Sequence, residues 1–369
     1  MYKRISSLLA GVLATVTLLS ACGSTTPPAS SAPGDGSLIP EPSVSVLAPV
    51  VDPEPLYTNP LTGEGTDTDL SARRPVAVML NNLKKALPQC GISQADIIYE
   101  VPAEGGITRM MAVFQSLNGV DTLGSVRSSR PYYVELAAGL DAIYIHAGGS
   151  DDAYSAIKKH GVFNIDGVNG PYGGTMFYRD AQRKKTAGFE HSLFTDEGRI
   201  EKLLSGALSK SRQTHKEGYS LPLAFAKEAS PTGGQSANRI SVKFSYYKTG
   251  QFTYEPQTRT YLVSQQVDKQ NGPYVDGNNN QQVEVTNVLV LRTDINQIKG
   301  DSAGRLTVRL TGSGSGWFAC GGQYIPITWS KDSATAPLRF STADGQPLTL
   351  GVGKTYINII GNNDPVTFE

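Results

Sequence analysis

Apolar and polar positions change rhythm several times along this 369-residue chain. A mostly apolar run over residues 8–19 follows Lys3 and Arg4 and ends at Leu19-Ser20-Ala21-Cys22. Over residues 22–70 no apolar period persists, and Ser, Thr, Pro and Gly dominate, as in Thr26-Pro27-Pro28-Ala29-Ser30. Residues 71–215 alternate short β-like runs with segments of helical spacing. Strands are predicted near 75–80, 96–102, 108–115 and 141–146, and helices over 132–138, 150–160 and from 195 to 204. The helix over 150–160 has the clearest bounds: Ser150 as N-cap, Asp151 and Asp152 in its first turn, Gly161 just past its end. Periodicity fades over 216–239, which reads as a linker. From residue 240 to 369 nearly every segment is strand-like, with turns at Asp276-Gly277 and Gly312-Ser313-Gly314. The pattern predicts an α/β N-terminal domain followed by a mostly antiparallel β C-terminal domain, sandwich-like or barrel-like.

The first segment has the three parts of an export signal: positive charge, a short apolar core and small residues before a cut. The core falls short of the roughly 20 apolar residues a membrane-spanning helix needs. Leu-Ser-Ala-Cys resembles the bacterial lipobox. That resemblance implies cleavage after Ala21, a signal peptide of residues 1–21, and a lipid-bearing Cys22 that holds the protein to the membrane. The polar stretch that follows cannot bury enough surface to offset its ordering entropy, so residues 22–70 read as a tether. A flexible chain of roughly 45 residues reaches on the order of 35–40 Å.

Composition narrows the function. Basic and acidic residues balance at 33 each, and loss of Lys3 and Arg4 with the signal leaves 31 against 33, or −2. That balance gives no footprint for nucleic acid. Besides Cys22 there are Cys90 and Cys320, far apart in sequence. An oxidising compartment permits a bridge between them, and two buried thiols are the alternative. No Cys/His spacing suggests zinc. His146 and His191 with Asp151 lack close ligand spacing, so neither metal nor cofactor is expected.

Several stretches resemble the YerB-like lipoprotein family, two-domain bacterial proteins without an established reaction. They are Arg74-Pro75-Val76-Ala77-Val78-Met79, Gln94–Val101, Glu104-Gly105-Gly106-Ile107-Thr108-Arg109, Val126-Arg127-Ser128-Ser129-Arg130-Pro131 and Tyr144–Ser150. In the C-terminal half they are Gly321–Trp329 and Gly353-Lys354-Thr355-Tyr356. The resemblance implies a bacterial, largely Gram-positive lipoprotein and leaves the activity open.

Two segments could carry chemistry. Arg127-Ser128-Ser129-Arg130 precedes a predicted helix, where free amides and two guanidinium groups suit a carboxylate or phosphate. The alternative is that Arg127 and Arg130 pair internally with Glu100, Glu104 or Glu135. His146-Ala147-Gly148-Gly149-Ser150 lies at the carboxyl end of a strand, where α/β folds collect ligands. His146 there is either a base or a hydrogen-bonded structural residue. If the segments converge, Arg127, Ser128, Ser129, Arg130, His146, Gly148, Gly149 and Ser150 line an anion-binding cleft.

Three other features were weighed. A triad of Ser128 or Ser129, His146 and Asp141 or Glu104 lacks the Gly-x-Ser-x-Gly elbow. Gly351-Val352-Gly353-Lys354-Thr355 is not a P-loop, since Leu348 stands where the first glycine belongs. Trp317, Phe318, Tyr324 and Trp329 could bind sugars or a protein, but strand alternation predicts core packing. The sequence therefore predicts a non-catalytic binding or scaffold lipoprotein at the outer face of the cytoplasmic membrane. Its partner would be a cell-wall ligand or an envelope protein. The alternative is an envelope hydrolase or transferase using the Ser/His/Arg cleft.

Overall fold

The computed structural model describes residues 54–369 except 207 and 209. The signal peptide, Cys22 and most of the expected tether lie outside the described residues.

Strand runs in which every residue is buried require cover on both faces. Val76–Asn81, Ile97–Pro102 and Thr108–Phe114 are buried at every position, and they form the middle of one large sheet. Its eleven strands are β1 (Val76–Asn81), β2 (Ile97–Pro102), β3 (Thr108–Phe114), β4 (Ile143–His146), β5 (Asn164–Asp166), β6 (Gln235–Ser236), β7 (Asn287–Thr293), β8 (Gly312–Cys320), β9 (Gln323–Lys331), β10 (Arg339–Thr342) and β11 (Thr355–Gly361). The order across the sheet is β6-β9-β8-β7-β11-β2-β3-β1-β4-β5, with β10 on β9. β11 lies parallel to both β7 and β2, pairing Tyr356 with Ile98 and Asn358 with Glu100.

Period-2 alternation assigns each strand's side chains to two cores. Val76, Val78 and Leu80 face one, with Ile98, Met110, Ala112 and Tyr356. A six-stranded antiparallel sheet from the C-terminal half covers this face, bringing Ile240, Val242, Phe252 and Val263. Ala77 and Met79 face the other core, where helices α1 (Pro131–Gly139) and α2 (Asp151–His160) pack. α2 starts and stops as its sequence predicts: Ser150 Oγ accepts from the Ala153 amide at 3.2 Å, and Gly161 ends it in the left-handed conformation. Two further helices, α3 (Ala181–Thr186) and α4 (Glu197–Gly206), flank the first half.

The α/β then antiparallel β character matches expectation, but the boundaries need correction. Residues 216–239 are not a free linker. Ala224–Ala226 pairs in parallel with Thr349–Gly351, and Gln235–Ser236 is an edge strand of the large sheet. Residues 54–70, expected in the tether, are folded: Tyr57–Thr58 pairs with Gly65–Thr66, and Leu61 is buried in the helix-side core. Nor do the C-terminal strands make a separate sandwich. Five of them complete the sheet begun by the first half, so residues 54–369 form one compact unit. Trp329 and Phe318 are core residues, and half-buried Tyr324 stacks on Phe368 at 3.8 Å, so the aromatic cluster packs the fold. Cys90 and Cys320 are both unpaired, and burial pushes each thiol up to about 11.

Candidate functional site

Because β7, β11, β2, β1, β4 and β5 run in one direction, their carboxyl ends share one edge of the sheet. Both candidate segments lie there. Val126 bridges Leu80, and the Arg127 amide donates to Met79 O at 2.9 Å, which fastens the arginine segment to the end of β1. The Ser129 amide donates to Gly148 O at 2.9 Å, which joins it to the glycine turn after β4. The two segments therefore lie side by side.

What the segments do there differs from an open anion cleft. His146 is fully buried, with Nδ1 2.9 Å from Gly148 O and Nε2 3.1 Å from Asn164 Oδ1. Both ring nitrogens are engaged within the fold, so the histidine secures the strand end. Ser129 is equally buried, and its Oγ accepts from the Tyr144 hydroxyl at 2.8 Å. Neither serine caps α1; Arg130 occupies the N-cap position, with Pro131 next. The Gly148-Gly149 turn already holds an internal carboxylate. Asp166 Oδ1 accepts from the Gly148 and Val168 amides at 2.8 Å each, and Oδ2 accepts from the Tyr154 hydroxyl at 2.7 Å. Burial alone would raise the Asp166 carboxyl, but those donors outweigh it and hold it below its ordinary value.

The arginines also have partners. Arg127 reaches Glu190 at 2.7 Å. Arg130 Nε donates to Glu104 Oε2 at 3.1 Å, and its Nη2 contacts the same carboxylate. Glu100 pairs with neither. It occupies an even position of β2, facing the six-stranded sheet, where Lys248 sits 3.2 Å from its carboxylate. Asp141 precedes β4 at the opposite edge of the sheet and binds His215 at 3.1 Å, so it cannot orient His146.

The structure adds a residue that sequence reading missed, Arg109. It is almost fully buried at the start of β3, donates to Ser128 O at 2.7 Å and contacts Glu104. One carboxylate thus serves two guanidinium groups, which leaves a formal excess of one positive charge. Burial and the neighbouring Arg130 lower Arg109, while Glu104 opposes them. Burial tends to raise Glu104, but the two arginines prevail and hold it below the ordinary carboxylate range. Arg109 Nε is buried without a hydrogen-bond partner. The available sign was a lone arginine inside the apolar run Thr108–Phe114, just after two glycines.

Two adjoining clefts flank this cluster and share Leu306. One, of about 520 Å³, is lined by Pro102, Gly105, Gly106, Phe244, Ile295 and Asp364. The other, of about 280 Å³, is lined by Arg130, Glu135, Ser150, Asp152 and Arg305. Gly105 and Gly106 both have positive φ, and a side chain at Gly105 would meet only open space. The loop leaves that wall bare backbone. Among the described residues, no three His, Cys, Asp or Glu side chains gather as a metal site.

Comparison with known proteins fits this architecture. Residues 61–212 match the N-terminal domain of a protein of unknown function, DUF3048, and residues 240–357 match the DUF3048 C-terminal domain. The chain is 31% identical over 320 residues to "Putative lipoprotein YerB" of Bacillus subtilis strain 168, covering 84% of this chain and 88% of the relative. The crystal structure of YerB protein from Bacillus subtilis superposes with a TM-score of 0.68 at 27% identity, over 84% of this chain and 99% of that one.

Proposed function

Since the chain belongs to the DUF3048 family, one member of which is named as a lipoprotein, we propose that it is a membrane-tethered binding protein of the bacterial envelope. It works outside the cytosol, held by lipid on Cys22, and takes an anionic group in the paired clefts at the carboxyl edge of the sheet. The observation that supports binding is the Arg109–Glu104–Arg130 cluster. It carries surplus positive charge, and Arg130 lines the cleft of about 280 Å³, which has room for a small ligand. A carboxylate or phosphate would complete it, because charge-assisted bonds to guanidinium are the strong ones.

A binding role is favoured over a hydrolytic one by the condition of the triad candidates. A serine nucleophile needs a base within reach of its hydroxyl, and the ring nitrogens of buried His146 face Gly148 O and Asn164 Oδ1 rather than a serine. Calorimetric titration of the mature chain with acetate, citrate and inorganic phosphate tests the proposal. Arg130→Gln should weaken anion binding by about tenfold, the equivalent of 1.4 kcal/mol. Glu104→Gln should strengthen it, because the internal competitor loses its charge. Equal effects of the two changes, or no binding at any concentration, would rule the proposal out.

A further inference from the structure

Away from the clefts, two short segments bring cations together. Lys84 and Lys85 lie on a 3-10 turn, Lys184 and Lys185 on α3, and all four are exposed. Arg183 joins the two segments: Nη1 donates to Ala86 O at 2.8 Å, and Nη2 reaches Pro88 O. Arg179 lies beside them. The acids nearby are already committed. Asp180 caps α3 through the Arg183 amide at 2.6 Å, Glu190 binds Arg127, and Asp268 sits 3.6 Å from Lys84. Six cations therefore face three acids on a protein whose mature balance is −2.

An apolar ring projects from this basic field. Phe189 is 59% exposed, with the Arg179 guanidinium 3.5 Å from its centroid and Lys184 Nζ 5.7 Å away. Arg179 also donates to Phe189 O at 2.6 Å, which fixes the ring's backbone. A soluble inorganic polyanion would use the lysines but not the exposed ring. A lipid headgroup layer can use both parts, because its phosphates meet the cations while the ring enters the acyl boundary.

We infer that the face formed by Lys84, Lys85, Arg179, Lys184, Lys185 and Phe189 docks on an anionic phospholipid surface. The contact is independent of acylation and of the ligand clefts. On an acylated chain it would be an intramolecular second contact, strengthened by the local concentration the anchor supplies.

The test uses the chain from residue 22 onward with Cys22→Ser, which cannot be acylated. Its flotation with phosphatidylcholine vesicles is compared with and without about 30% phosphatidylglycerol, at low and high salt. Binding is expected only to the anionic vesicles, and it should fade as salt rises. The combined change Lys84→Glu, Lys85→Glu, Lys184→Glu and Lys185→Glu should lower partitioning at least tenfold. Phe189→Ala alone should lower it severalfold at fixed salt. These side chains are exposed, so the melting temperature should hold; if the reversal shifts it, the same four lysines changed to Gln provide the comparison. Equal binding to neutral vesicles, or an unaffected charge-reversed chain, would overturn the inference. So would binding of soluble polyphosphate that Phe189→Ala leaves unchanged, which would make the face a polyanion site.

Discussion

Lys248→Met should be among the most damaging single substitutions in this protein, although Lys248 touches neither cleft. Its ammonium is buried 3.2 Å from the fully buried Glu100 carboxylate. It also donates to Gln265. Glu100 stands on β2 and Lys248 on a strand of the six-stranded sheet, so the pair links the two layers. Removing one partner of a buried pair typically costs about 3–5 kcal/mol, because the remaining charge stays desolvated. Glu100 would keep Asn82 at 3.0 Å and the hydroxyls of Thr108 and Tyr356 at 2.5 Å each. Those donors place the loss at the lower end, about 3 kcal/mol, or roughly 4–5 °C in melting temperature for a unit of this size. Adding Glu100→Gln removes the orphaned charge and should restore about 2 kcal/mol, a coupling that a double-mutant cycle isolates. Urea unfolding can be followed through Trp317 and Trp329, the two tryptophans of the chain. A loss below about 1 kcal/mol for Lys248→Met, or strictly additive effects in the cycle, would refute the reasoning.

Other expectations are narrower. Burial raises the Asp96 carboxyl from 3.8 to about 6, despite donors from the Gln115 amide and Asn59. The folded state thus holds this proton more tightly than the unfolded chain. Its contribution to stability is full below about pH 4 and is lost as pH rises through about 6. Asp96→Asn should flatten the pH dependence of the urea midpoint across that window; an unchanged slope would contradict the assignment. Ser150→Ala should cost about 1 kcal/mol in thermal melting, since it removes the cap of α2. No measurable loss would mean that the cap is dispensable. Cys22→Ser should make the protein extractable from membranes by high salt without detergent, and mass analysis of the native N-terminus should find acyl groups on Cys22. A free amino end on a protein that washes off in plain buffer would refute lipid anchoring.

Local features were legible in the sequence because local chemistry fixes them. Ser150 and Gly161 bound α2 as read, and the runs at Val76–Asn81 and Ile97–Pro102 are strands. What could not be read is which strands meet. A run buried on both faces carries no mark of its neighbour, so the pairing of Ile97 with Thr355 leaves no local trace. The site was half legible for the same reason. Ser129 meets Gly149, but the sequence placed only the glycine segment at a strand end and left the meeting as a condition. The pairing of Arg130 with Glu104 was one of the stated alternatives, whereas Arg109 was hidden inside an apolar run. Asp166, which binds the glycine turn from the end of β5, and Glu190, beside Arg127, come from residues with no nearby pattern to announce them.

The position of β11 has a consequence for how the protein is made. A chain synthesised amino end first presents β2 long before residues 355–361 arrive to cover its flank. Until then the early strands have an open, apolar rim, which invites pairing with other molecules. Closing a sheet across more than 250 residues is also slow relative to local folding. Cutting between the two family domains should therefore yield two sticky fragments rather than two soluble modules, and completion of the fold must await the last strand.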